Sequence, residues 1–123
     1  GNHAQALALA AKSSSDDSST GGVRVKAHIV MPRNAPTIKQ DAVRGYGANT
    51  ILVDSNNVAR AKGAEKVIQE TGGVFIHPSE HPHVIAGQGT VCYEMVTQVR
   101  DMLKASSETG DDLDAVIIPV GGG

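Results

Sequence analysis

The chain has no tryptophan, one cysteine and only three aromatic side chains, Tyr46, Phe75 and Tyr93, in 123 residues. So few rings leave no stacking platform for single-stranded nucleic acid. Cys92, being alone, cannot form an internal disulfide, and a reducing, cytoplasmic setting is the simpler expectation. On an apolar helix face, it reads as a small packed hydrophobe rather than a nucleophile. Eleven basic and thirteen acidic residues are interspersed to a net charge of −2, so no basic stripe is available for a phosphate backbone. No apolar run approaches the roughly 20 residues of a membrane-spanning helix. No charged, apolar, then small-residue signal opens the chain. What remains, 40% hydrophobic and 20% charged, is an ordinary globular composition with length for one domain and a modest core.

Apolar spacing alternates between helical and strand-like. Asn2 to Lys12 reads as a helix that is apolar nearly all round, through Ala4, Leu7, Ala8 and Ala11. The run 13–22, rich in Ser, Asp and Gly, can bury nothing and reads as a surface loop, as does 105–112. Val25 to Met31 reads as a strand closed by Pro32. Pro36 marks a helix entry, Ile38, Ala42, Val43 and Tyr46 follow at helical spacing, and Gly47 is a left-handed stop. Thr50 to Val53 is a β-branched strand. A third helix, about Asn57 to Thr71, offers Val58, Ala61, Ala64, Val67 and Ile68 for burial and ends at Gly72-Gly73. Val74 to Ile76 is a short strand. A fourth helix carries Val91, Met95, Val96, Val99, Met102 and Leu103, and Ala115 to Ile118 is a last strand. Alternating helices and strands predict a single α/β domain over residues 1–123: a four-stranded parallel sheet with helices on both faces.

In open parallel sheets, ligands bind at the carboxyl ends of strands, near helix N-termini. Two segments fit. Gly121, Gly122 and Gly123 follow a strand, where backbone N–H groups could surround a phosphate; a flexible turn explains them equally well. Gly1-Asn2-His3 opens the first helix, where unpaired N–H groups attract carboxylates, although spacing alone favours a plain helix cap. Gly87-Gln88-Gly89-Thr90 reads as the loop entering the fourth helix, and Arg60 and Lys62 read as surface charges. His77, Glu80, His81 and His83 suggest a metal loop. Pro78 and Pro82 break the geometry that would converge the imidazoles, so a solvated loop is the better reading and no metal site is assigned.

Taken together, Gly1-Asn2-His3-Ala4-Gln5-Ala6-Leu7-Ala8, Ile29-Val30-Met31-Pro32, Ala35-Pro36, Lys39, Tyr46-Gly47-Ala48, His77-Pro78, Ile85-Ala86-Gly87-Gln88-Gly89-Thr90, Glu94 and Ile117-Ile118-Pro119-Val120-Gly121-Gly122-Gly123 keep one order. That series resembles the serine racemase and threonine/serine dehydratase family, pyridoxal-phosphate enzymes of fold type II. The likeness covers the chain apart from the two polar loops, which read as insertions.

The resemblance implies that the chain is the small, mobile domain of a larger two-domain enzyme. It implies that Asn2 hydrogen-bonds the phenolic oxygen of pyridoxal 5'-phosphate, and that Gly121, Gly122 and Gly123 cradle the cofactor phosphate. Asn2 and His3 would receive the substrate carboxylate, and Arg60 would reach it on closure. Gln5 and Lys39 match positions associated with an activating nucleotide, ATP, near a subunit interface. None of the six lysines has the Ser-x-Lys-x-Arg setting of the cofactor-holding residue. That residue is expected upstream of Gly1, with the ligands for a divalent metal such as Mg beyond Gly123, so the segment alone is expected to be inert. The partners implied are the large domain, a small amino acid, and a second copy of the parent as a homodimer. A stand-alone nucleotide- or anion-binding α/β module is the alternative from another class.

Overall fold

The computed structural model describes residues 1–17, 19, 21, 23–106 and 113–119. The elements run α1 (Asn2–Asp16), β1 (His28–Pro32), α2 (Thr37–Gly45), β2 (Asn49–Val53), α3 (Asn57–Thr71) and α4 (Pro82–Ser106). Two compact units divide the chain, Gly1–Phe75 and Ile76–Gly123.

The first unit is built on a parallel pair, β1 and β2, with His28 opposite Asn49 and Pro32 opposite Val53. Side chains alternate across the pleat, so Ile29 and Met31 face one way and Val30 the other. On the first face, Ile29 and Met31 meet Ala8 of α1 and Val43 of α2, with Ala4, Leu7, Tyr46 and Leu52 packed around them. Met31 and Val43 are the largest fully buried side chains. The alanines of α1 let that helix lie close to the strand. On the opposite face, α3 approaches so closely that a Cβ on Gly63 would stand 3.0 Å from Val53 Cγ1 and 3.1 Å from Val30 Cγ1. The unit is therefore three-layered, with α1 and α2 on one side and α3 on the other.

Helix ends follow local chemistry. α2 stops before Gly47, and α3 stops at Gly72, both at positive φ (80° and 67°), where glycine has no Cβ to clash. Asn56 caps α3, its Oδ1 accepting from the Ala59 N–H at 2.7 Å. α1 runs beyond Lys12 to Asp16, so residues 13–16 of the expected polar loop are helical. Ser15 explains this: its Oγ donates to the Ala11 carbonyl at 2.8 Å and accepts from the Val25 N–H at 3.0 Å, tying the end of α1 to the approach of β1.

The expected four-stranded sheet is corrected to two strands among the described residues. Residues 72–77 and 115–119 carry no strand, although Val74-Phe75-Ile76 and Ala115 to Ile118 have strand-forming composition. Propensity prepares a strand, but a hydrogen-bonded neighbour makes one. Val74 is 83% exposed and Ile117 97% exposed, so no neighbour covers them. β1 also begins later than Val25 and includes Pro32, whose missing N–H is tolerated at the end of a strand.

The face of α3 differs in part. Ala64 and Val67 are half-buried as expected, Ala59 and Gly63 join them, and Val58, Ala61 and Ile68 are exposed. The missing side chain at Gly63 sets the approach to Val30 and Val53.

In the second unit, α4 starts at Pro82, where a ring-fixed φ suits the first helical position. Gly87-Gln88-Gly89-Thr90 therefore lies inside the helix, not in a loop before it, and Thr90 Oγ1 donates back to the Gly87 carbonyl at 2.7 Å. Met95, Val96, Val99 and Leu103 form its half-buried stripe. Cys92 is exposed, which corrects the expectation of a packed thiol. Among the described residues, no helix is long and apolar enough to cross a membrane.

Candidate functional site

Strand direction decides where the helices begin. β1 and β2 are parallel, α2 follows the carboxyl end of β1, and α3 follows the carboxyl end of β2. α1 runs against the strands, since its last turn is tied to Val25, so its first turn also lies toward the carboxyl edge. Three helix N-termini thus point to one edge of the sheet, each presenting backbone N–H groups and the positive end of a helix dipole. None has an acidic residue in its first turn.

The first turn of α1 holds Asn2 and His3. Gly1 caps it with no side-chain hydrogen bond, and the space a Cβ would take at Gly1 is open to 4 Å. Asn2 is exposed and His3 half-buried. Gln5 closes the turn, its N–H donating to the Gly1 carbonyl at 3.4 Å. Lys39 sits in the first turn of α2, a helix that packs beside α1. Asn2, His3, Gln5 and Lys39 gather around one helix end, a place suited to an anion.

Arg60 belongs to the same edge through the first turns of α3. It is exposed, and its Nη2 donates to Asn57 Oδ1 in the turn before it. Gly121, Gly122 and Gly123 lie outside the described residues, so of the residues expected at the cofactor only Asn2 is described. An amide able to donate, at a helix start free of carboxylates, has the chemistry to meet a phenolate oxygen such as that of pyridoxal phosphate.

One participant was missed in the sequence. Gln40 is the only buried polar side chain among the described residues, 9% exposed. Its Nε2 donates to the carbonyls of Ala35 at 2.9 Å and Arg33 at 3.3 Å, and its Oε1 accepts from Arg44 Nη2 at 3.1 Å. It fastens the turn between β1 and α2 at the edge where Lys39 sits. No spacing signals this, since a glutamine at helical period normally reads as a solvent-facing residue. Arg33 carries the turn further, its N–H bonding the Val53 carbonyl at 2.9 Å and its side chain 3.9 Å from Asp54.

In the second unit, His77 Nδ1 accepts from the backbone N–H groups of Glu80 at 3.1 Å and Ser79 at 3.2 Å. His81 Nδ1 accepts from the His83 N–H at 3.3 Å. Both rings cap their own turns, and no group of three or more suitable side chains among the described residues could hold a metal. An open cleft of about 180 Å³ beside Lys12, Ser15, Tyr46 and Gly47 sits at the opposite, amino end of the strands.

The sequence profile of the pyridoxal-phosphate dependent enzyme family matches residues 1–123. The chain belongs to that family. It is 38% identical over all 123 residues to serine racemase of Mus musculus, of which it covers 30%. It is 45% identical over 124 positions to the biosynthetic L-threonine dehydratase of Haemophilus influenzae, covering 20% of that protein. The structure of maize serine racemase superposes with a TM-score of 0.70 at 43% identity, over 80% of this chain and 27% of that one. The chain thus spans less than a third of the length of these relatives, all of it within an α/β architecture.

Proposed function

We propose that this member of the pyridoxal-phosphate family serves as the small domain of a serine racemase or serine dehydratase. The parent enzyme would interconvert L- and D-serine, eliminate water to give pyruvate, or do both. The observation that carries the reading is the first turn of α1: Asn2 and His3 at an acid-free helix start that shares the carboxyl edge of the sheet with the first turns of α2 and α3, where Lys39 and Arg60 sit. When bound, pyridoxal phosphate acts as the electron sink that makes the α-proton of an amino acid removable. Asn2 holds the phenolate edge of the ring. The N–H groups of the first turn, with His3, receive the substrate carboxylate, and Arg60 adds a cation to it from α3. Gly121, Gly122 and Gly123 are assigned to the cofactor phosphate. Gln5 and Lys39 are assigned to a regulatory nucleotide such as ATP, and a divalent metal such as Mg is assigned to other parts of the parent. The partners proposed are the large domain and a second copy of the parent, in the cytoplasm.

The test is the full-length enzyme assayed with L-serine, following D-serine and pyruvate together. Asn2→Ala should weaken cofactor retention, read as loss of the bound-pyridoxal absorbance on dialysis, and lower turnover. Unchanged retention and turnover would remove Asn2 from the site. The 45% identity to a threonine dehydratase favours one further arm, L-threonine as substrate with 2-oxobutanoate as product. Turnover of threonine in clear preference to serine would move the assignment to that ammonia-lyase.

A further inference from the structure

We infer that Asn57 is a positioning residue that holds the Arg60 guanidinium ready for the substrate carboxylate while leaving its charge unspent. This deepens the reading of Arg60 above and rests on it. Arg60 is exposed on the second turn of α3, and a free arginine there would sample many rotamers, each of which must be surrendered on binding. The hydrogen bond from its Nη2 to Asn57 Oδ1 restricts that search before any ligand arrives. Asn56, one residue earlier, fixes the backbone of the same turn by accepting from the Ala59 N–H at 2.7 Å. The cap residue and the positioning residue are thus adjacent, and Asn57 can serve Arg60 because Asn56 already serves the helix.

The identity of the acceptor matters more than its presence. An aspartate at 57 would suit the helix better, because a carboxylate at the first helical position meets the positive end of the dipole and pairs with an arginine three residues on. Asparagine forgoes that gain. An amide oxygen orients the guanidinium without neutralising it, whereas a carboxylate would compete with the substrate for the same fork of donors. Stability and function therefore point in opposite directions at this position, which separates the two roles experimentally.

The experiment uses the full-length holoenzyme and three variants, Asn57→Asp, Asn57→Ala and Arg60→Ala. Asn57→Asp should keep or raise the unfolding temperature, raise KM for L-serine about fivefold and leave kcat within about twofold, as for an exposed ion pair that must be displaced. The KM effect should shrink as salt rises from about 0.05 to about 0.5 M and the screening length falls to about 4 Å. Inhibition by L-serinamide, which has no carboxylate, should not change in that variant. Asn57→Ala, lacking both tether and charge, should raise KM about twofold with no dependence on salt. Arg60→Ala tests the underlying reading. If it raises KM while both Asn57 variants keep the wild-type KM, the positioning role is overturned and the Arg60 assignment stands. If Arg60→Ala leaves KM unchanged, both fall together. An equal loss for L-serine and L-serinamide in Asn57→Asp would mark a structural effect and overturn the inference.

Discussion

Replacing Gly63 by alanine tests the packing that holds α3 over the sheet. In an exposed helix interior the change is favourable by about 1 kcal/mol, because glycine has the larger backbone entropy to lose. At Gly63 the new Cβ would lie 3.0 Å from Val53 Cγ1 and 3.1 Å from Val30 Cγ1. Comfortable carbon–carbon separation is about 3.5–4.0 Å, so α3 or the valines must yield by about half an ångström or more. Both valines are β-branched and stiff at χ1, and both sit in the paired strands, Val30 opposite Ile51 and Val53 opposite Pro32. Overpacking of this kind costs about 1–3 kcal/mol. Against the gain in propensity, the expected result is a net loss of about 1 kcal/mol. Gly45→Ala is the matched control: the same chemical change, at the last residue of α2, with nothing within 4 Å of the added methyl. Thermal unfolding followed by circular dichroism should place Gly63→Ala several degrees below the parent, about 4–8 °C per kcal/mol for a small domain, and Gly45→Ala at or above it. If Gly63→Ala raises the midpoint as Gly45→Ala does, the close approach of α3 is wrong.

Thr50 Oγ1 is buried with no hydrogen-bond partner among the described residues, so Thr50→Val should stabilise by about 1 kcal/mol in a denaturant titration; a loss would reveal a partner for the hydroxyl. Asn56→Ala removes the cap on Ala59 and should cost about 1 kcal/mol, with Asn56→Asp retaining most of it. Gln40→Leu leaves the carbonyls of Arg33 and Ala35 without their donor and should cost about 1–3 kcal/mol. Hydrogen exchange should speed in the β1–α2 turn of that variant, and unchanged protection would refute the fastening role. Bonds from the Ser19 side chain and N–H hold the Asp17 carboxyl below its ordinary 3.8. A lowered folded value means the turn after α1 is favoured above pH 3.8 and loosens as pH falls through the folded pKa. A carboxyl titration by NMR should find Asp17 below that value and closer to it in Ser19→Ala, which loses the side-chain bond and keeps the one from the N–H.

What the sequence disclosed about this fold tracks how local each determinant is. The span of α3 was legible to the residue because Asn56 and Gly72 mark its ends with chemistry of their own, a side-chain acceptor and a left-handed stop. Its inward side was legible only in part: hydrophobic spacing picked out Ala64 and Val67 but also the exposed Val58, Ala61 and Ile68, and it missed the contact with Val30 and Val53 that the absent side chain of Gly63 permits. The strand at 74–76 failed for a related reason: apolar β-branched composition does not say which backbone will stand beside it. α4 was expected to start after Gly87-Gln88-Gly89-Thr90 because two glycines suggest a loop, and Pro82 supplied a stronger start ahead of that segment.

The candidate site was legible to the extent that topology makes it. Parallel strands with intervening helices oblige α2 and α3 to begin at the carboxyl edge, and the bond from Ser15 to Val25 turns α1 the same way. Asn2, Lys39 and Arg60, far apart in sequence, share that edge for this reason alone. The groups that hold the edge in shape were hidden, because Gln40 and Asn57 act through bonds to one carbonyl turn and one guanidinium, and neither bond has a sequence period. Met31, Val43 and Ala8 fix the distance between α1 and α2, and with it the spacing of their first turns, where Asn2 and Lys39 sit. Core packing and the electrostatics of the edge are therefore not separable here: a change that moves either helix moves the charge that faces the ligand.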